Sequence, residues 1–202
     1  MSRGVVTAPD GVPRCPWGME SEQMADYRTY HDTEWGLPVH GDDALFERMS
    51  LEAFQSGLSW ITILRRRPGF RAAFAGFRIA QVARFTEADA ELLLADPGII
   101  RNRAKIAATI NNAKVAAELA PGELDELIWS YAPDRAGRAV PRTLGDVQPV
   151  TPESTALAKD LKKRGFRFVG PTTAYAMMQA CGLVNDHLAA CHVRAAVEAA
   201  AG

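Results

Sequence analysis

The sequence predicts an all-α fold, a single compact unit of roughly eight to ten short helices. Three observations carry this. Apolar residues recur at helical spacing along most of the chain, and no alternating run is long enough for a useful strand. Capping and breaking residues bracket those runs. The 202 residues, 48% hydrophobic and 23% charged, can bury one sizeable core.

The elements follow in order. Residues 1–13 read as a flexible leader, and 14–202 as one helical domain. "DDALFERMSLEAFQSG" is a helix with Asp42 as its N-cap and Gly57 as its C-cap. "SWITILRRR" is a second helix, expected to stop at Pro68. "TEADAELLLAD" starts at Thr86 and ends before Pro97-Gly98. "NRAKIAATINNAKVAAELA" runs from about Asn102 to Pro121. "ELDELIWSY" is a short amphipathic helix, and the Pro- and Gly-bearing stretch 132–151 is a loop. "TPESTALAKDLKKRG" is capped by Thr151 or Ser154 and stopped by Gly165. "TTAYAMMQACG" and "DHLAACHVRAAVEAAA" are the last two helices.

Composition excludes several classes. No apolar run approaches the ~18 residues of a membrane span, and "MSRGVVTAPDGVPR" lacks the apolar core of a secretory signal. Three cysteines without such a signal argue against a disulfide framework and for a reducing cytoplasm. The net charge of −1 means that any polyanion must be met by a local patch. A monomer is the default.

One such patch is the hairpin in "LLLADPGIIRNRAKI", within about 86–119. Gly98 can take a positive φ, and Ile99 and Ile100 can pin the turn. The next helix offers free N–H groups beside Arg101, Arg103 and Lys105, which suits a phosphate. The plainer alternative is an ordinary helical hairpin with a solvated basic start. Arg65-Arg66-Arg67 and "KKRGFRF" (162–168) could extend the same basic face.

His187 and Cys191 stand four apart in an alanine-rich run expected to be helical, so they share one face. Both are good zinc donors, and zinc sites are usually four-coordinate. The candidates for two further donors are Cys15, Cys181, His31, His40 and His192. Cys181 sits in an apolar helix, and His192 points away from Cys191. Cys15, His31, His187 and Cys191 together would tie the front of the chain to its end. Such a closed site is structural rather than catalytic.

Tyr27, Tyr30, Trp35 and Trp60 bring aromatic surface near Glu52. At 100° per residue Glu52 falls at the edge of the apolar arc of its helix. An acid there is either a rim residue or a buried group that serves a cationic ligand stacked on rings.

These stretches together resemble the 3-methyladenine DNA glycosylase I family of the helix-hairpin-helix superfamily. The matching strings are "RCPW", "YHDTEWG", "LEAFQSGLSWITIL", "GIIRNRAKI", "LKKRGFRFVGPT" and "MQACGLVNDH", from about Arg14 to Cys191. The resemblance implies excision of N3-methyladenine from alkylated double-stranded DNA, with release of the free base and no lyase step. It implies one structural Zn²⁺ per chain on Cys15, His31, His187 and Cys191. It implies that Glu52 hydrogen-bonds the base as the catalytic-site acid, that Trp60 stacks on it, and that Tyr27, Tyr30 and Trp17 shape the pocket. Gly57 and Leu58 fall where the family meets the gap in the duplex, and Gly98, Ile99, Arg101, Arg103 and Lys105 where it holds the backbone. The superfamily's usual catalytic aspartate is not assigned to any residue. Two rivals remain: a zinc-stabilised DNA-binding module without catalysis, and a metallohydrolase with an open zinc position.

Overall fold

The computed structural model describes residues 3–17 and 25–200. They form helices α1 (Ala25–Thr33), α2 (Asp42–Gln55), α3 (Trp60–Ala73), α4 (Ile79–Val82), α5 (Glu87–Ala95) and α6 (Arg103–Ala117). Helices α7 (Glu123–Trp129), α8 (Pro152–Lys163), α9 (Pro171–Ala180) and α10 (Arg194–Ala200) complete the set. The all-α expectation therefore holds. Among the described residues no helix is long and apolar enough to cross a membrane.

The expected leader is partly built into the fold. Strand β1 (Val6–Thr7) pairs antiparallel with β2 (Pro13–Arg14). Two residues per strand are too few to leave an alternating signal. Arg14 is 5% exposed and fixes the ladder through its guanidinium, 2.9 Å from Asp10 and 2.8 Å from Asp32. That pairing sets Cys15 beside α1.

Helix α2 is the central element. Met49 through Phe54 are all buried, so this helix has no wide polar face at its C-terminal end. Glu52 is therefore inside, 6% exposed, rather than on a rim. Gly41, at φ 93°, is the N-cap instead of Asp42. Asp42 caps α7: its carboxylate accepts from the backbone N–H groups of Gly122 at 2.7 Å and Asp125 at 2.9 Å.

Helix α3 does not stop at Pro68 but continues to Ala73. Proline removes one hydrogen bond. Phe70 and Phe74 beyond it are completely buried, and that burial outweighs the missing bond.

The hairpin of α5 and α6 forms as the capping signals predict. Thr86 and Asp89 make a capping box, and Asn102 caps α6 through Lys105 N–H at 3.1 Å. Gly98 has no positive φ, however. Its role is close approach: a Cβ on Gly69 of α3 would sit 2.5 Å from the Gly98 carbonyl oxygen. The hairpin turn is thus seated directly on α3.

Lys105 is a second departure. It is 7% exposed, and its Nζ donates to the carbonyls of Phe54 at 2.8 Å and Ser56 at 2.6 Å. It closes the open C-terminal end of α2 rather than facing a phosphate. Lys105→Met should cost about 1–3 kcal/mol by orphaning those carbonyls. A denaturant midpoint equal to the parent's would contradict this role.

The end of the chain departs most. After α9, residues 181–193 are irregular, and helix resumes only at Arg194. Gly182, at φ 77°, breaks α9 and presses on the 36–38 segment: a Cβ there would lie 2.6 Å from the Gly36 carbonyl oxygen. That approach brings 183–191 against the end of α1.

Candidate active site and metal centre

Cys15, His31, His187 and Cys191 converge in a buried cluster whose donor atoms all lie within 4.8 Å of one another. Cys191 Sγ is 3.5 Å from His31 Nε2 and 3.6 Å from His187 Nδ1, and Cys15 Sγ is 3.7 Å from His187 Nδ1. His187 and Cys191 do not share a helix face, contrary to the spacing argument. They meet across an irregular turn in which Cys191 N–H bonds the Leu188 carbonyl at 2.8 Å. Cys181 and His40 are elsewhere, and His192 meets Asp32 at 3.0 Å.

The donor chemistry fits a metal. Each imidazole has its other nitrogen anchored: His31 Nδ1 to Asp32 at 2.7 Å, and His187 Nε2 to the Trp35 carbonyl at 2.9 Å. The Leu188 N–H points at Cys15 Sγ at 3.3 Å. The Cys191 thiol is pulled well down by its neighbour Cys15 and by both histidines, whereas Cys15 is pushed up by the same pairing and by burial. Two soft sulfurs and two oriented nitrogens are the donor set of a structural zinc site, which keeps no position for a reacting water.

Beside this cluster lies a cavity of about 210 Å³. Its walls include Trp17, Tyr27, Tyr30, Trp35, Glu52 and Trp60, so the predicted pocket residues do come together. Trp17 joins the two features: its ring is 5.0 Å from His31 and 5.1 Å from Tyr27. Tyr30 is 5.4 Å from Trp60. Gln55, Leu144, Val147, Ala176, Gln179 and Asp186 complete the wall, and sequence reasoning did not assign them. Asp186 adds a second, buried acid to the wall. It stands beside His187 in a matched string, and neither position nor spacing gives a hint of burial.

Glu52 makes no hydrogen bond or ion pair among the described residues. Burial pushes its carboxyl up to about 8, and the Arg48 charge opposes this only in part. Between the ordinary carboxylate range and about pH 8, the folded chain holds a proton that the unfolded chain has lost. Stability therefore falls as pH rises through that window, and the loss is complete above it. Glu52→Gln cannot ionise. It should melt close to the parent near pH 5 and above it near pH 9, read by thermal unfolding; equal differences at both pH values would contradict a buried acid.

The surface cations are largely paired. Arg65 meets Asp26 at 2.6 Å, Arg67 meets Glu34 at 2.6 Å, and Arg164 meets Glu123 at 3.2 Å. Arg66 donates to the Pro97 carbonyl at 2.8 Å, binding α3 to the hairpin turn. Arg103 is exposed between Glu87 and Glu91, and Arg101 is exposed beside it. Ile99 is 2% exposed, buried as the pin of the turn rather than presented outward. Gly57, at φ 82°, and Leu58 are exposed between α2 and α3, next to the pocket wall at Gln55 and Trp60.

Comparison with known proteins places this geometry. The sequence model of the methyladenine glycosylase family matches residues 19–195. DNA-3-methyladenine glycosylase 1 of Escherichia coli (strain K12) is 44% identical over 182 residues, covering 89% of this chain and 96% of that protein. DNA-3-methyladenine glycosylase of Haemophilus influenzae is 43% identical over 180 residues, covering 88% and 96%. A crystal structure of 3-methyladenine DNA glycosylase I superimposes with a TM-score of 0.81 at 43% identity, over 89% of this chain and 98% of that one. The Staphylococcus aureus enzyme, solved to show how it recognises 3-methyladenine, gives 0.81 at 32% identity over 90% and 96%.

Proposed function

The chain belongs to the methyladenine glycosylase family, and from that premise we propose that it excises N3-methyladenine from alkylated double-stranded DNA by hydrolysis of the N-glycosidic bond. It acts as a cytoplasmic monomer in base-excision repair and leaves an abasic site. The observation that carries this reading is a buried, unpaired Glu52 in the wall of an aromatic cavity.

The mechanism follows from the lesion. A base inside a duplex cannot be reached, so the nucleotide is turned out into the pocket at a few kcal/mol of unstacking. Alkylation weakens pairing and lowers that cost. Methylation at N3 leaves a cationic purine, already a good leaving group, so no strong general acid is needed. Trp60 stacks on the cation, and the Tyr27, Tyr30 and Trp17 rings shape the pocket around it. Glu52 accepts hydrogen bonds from the exocyclic amine, and the positive base draws its carboxyl back to the charged form. Unmodified adenine is neutral and lacks that attraction. Bond breaking builds an oxocarbenium-like sugar, which water then captures.

Gly57 and Leu58 enter the gap left in the duplex. Gly98, Arg101 and Arg103 hold a phosphate at the hairpin, whose turn Ile99 pins from inside, and Arg103 exchanges Glu87 and Glu91 for DNA. Lys105 has no direct part, because it is committed inside the fold. Cys15, His31, His187 and Cys191 would hold one Zn²⁺, which supplies a cross-link between the two ends of the chain. Three free cysteines support a reducing compartment.

A strand-break assay tests the reading. Methylated duplex treated with the protein should break only after alkali, which reveals abasic sites, and borohydride should trap no covalent complex. Breaks without alkali would contradict a purely hydrolytic enzyme. Absence of breaks even after alkali would favour a binding module.

A further inference from the structure

We propose that Gln179 is a second acceptor for the base and determines specificity, its amide locked in one orientation by Asp186. This rests on the reading of the aromatic cavity as the base pocket. Gln179 lies on α9 and lines that cavity together with Asp186. Its Nε2 donates to Asp186 Oδ2 at 2.8 Å, while Oε1 accepts from nothing among the described residues.

The direction of the amide is fixed by chemistry rather than by choice. Asp186 is surrounded by donors. Arg138 Nη2 donates to Oδ1 at 2.8 Å, and the Tyr175 hydroxyl donates to Oδ2 at 2.6 Å. A guanidinium has no acceptor. Burial and the Asp186 contact push the Tyr175 hydroxyl well above its usual value, so it keeps its proton and donates. The Asp186 side chain is 2% exposed, so water does not stand in for these partners. A turned-over amide would set Gln179 Oε1 against a carboxylate oxygen. Only the donor end of the amide fits there, and the carbonyl end is left for a ligand.

The consequence is a wall that accepts at Gln179 Oε1 on α9 and, once it has given up its proton, at Glu52 on α2, while the free donors of the described lining, the Trp60 Nε1–H and the Tyr27 and Tyr30 hydroxyls, stand on α3 and α1. A 6-amino purine offers N–H donors at position 6 and suits such a wall. A 6-oxo purine puts an acceptor there and leaves Gln179 Oε1 without a donor. Sites built around a ligand hydrogen bond reject analogues that cannot make it. Arg138, Asp186 and Gln179 then act as one chain, in which Asp186 is a positioning residue and Gln179 touches the base.

The test compares free N3-methyladenine with its 6-oxo counterpart, N3-methylhypoxanthine, by quenching of tryptophan fluorescence in the metal-loaded full chain. The parent should favour the 6-amino base by at least about tenfold. Gln179→Met, of similar length but without an acceptor, should bind the 6-amino base several-fold more weakly and the 6-oxo base unchanged, so the ratio collapses. Asp186→Asn presents both donor and acceptor to Gln179, frees the amide to turn, and should narrow the ratio with Gln179 intact. A structural loss would weaken both bases alike. Because Asp186 adjoins His187, metal content is measured in that variant; if metal is lost, Gln179→Met decides. An unchanged ratio in Gln179→Met overturns the inference. A parent that binds neither base, or a Glu52→Ala protein that binds as tightly as the parent, overturns the base-pocket reading instead.

Discussion

Glu52→Ala should slow release of N3-methyladenine by about 10²–10³-fold while the protein stays folded. The carboxylate is the charged acceptor nearest the cationic base, in a wall otherwise dominated by rings. Its worth is greatest where water is excluded, and Glu52 is 6% exposed. Glu52→Gln keeps the shape and one acceptor but loses the charge, so it should be intermediate. Both variants should bind free N3-methyladenine more weakly, since ring stacking alone remains. Neither should destabilise the fold, because an uncharged residue removes a buried ionisable group with no partner of its own. Parent-like single-turnover release by Glu52→Ala would show that recognition lies elsewhere. A collapsed melt would show that Glu52 is structural.

Cys191→Ala should lower the melting midpoint by about 10 °C or more, at roughly 2–4 °C per kcal/mol for a chain of this size. Cys191 stands within hydrogen-bond reach of both histidines of the cluster, so its loss opens the set on two sides. What then comes apart is the joint between the β1–β2 ladder, α1 and the 183–193 turn. A structural zinc contributes its binding free energy to folding, so chelation should produce the same loss in the parent. The parent purified without added metal should carry about one zinc equivalent. Release per folded molecule should remain near the parent's at low temperature, because the set is closed. Activity lost in proportion to metal, with an unchanged melt, would point to a reacting metal.

How far the sequence could be read follows from how local each signal is. Capping signals are local: helices start after Thr86 and Thr151 as expected, and the structure adds Asp89 and Ser154 as the reciprocal partners of two capping boxes. Helical period placed Glu52 close to the core, though it could not show that six consecutive residues of α2 would be enclosed. The donors Cys15, His31, His187 and Cys191 were legible as residue types, yet the supposed helix that joined two of them was an alanine-rich illusion. There the close backbone approach at Gly182 and the fixed histidines overrode propensity. Lys105 read as one of several hairpin cations; only the open end of α2, fifty residues away, explains why it is inside. Pro68 read as a stop because the cost of proline is local and the reward of burying Phe70 and Phe74 is not. Asp186 and Gln179 stood inside the matched string "MQACGLVNDH", but nothing local gave either a role, since the Tyr175 and Arg138 groups around Asp186 are assembled only by the packing of α9 against the 132–150 loop.

The most direct test of the account is to identify the bases freed from methylated duplex DNA. Chromatography of the supernatant after incubation with the metal-loaded protein should show N3-methyladenine as the dominant product, with unmodified adenine absent. Release of nothing, or of every alkylated purine at equal rates, would contradict a pocket in which Glu52 recognises a cationic adenine.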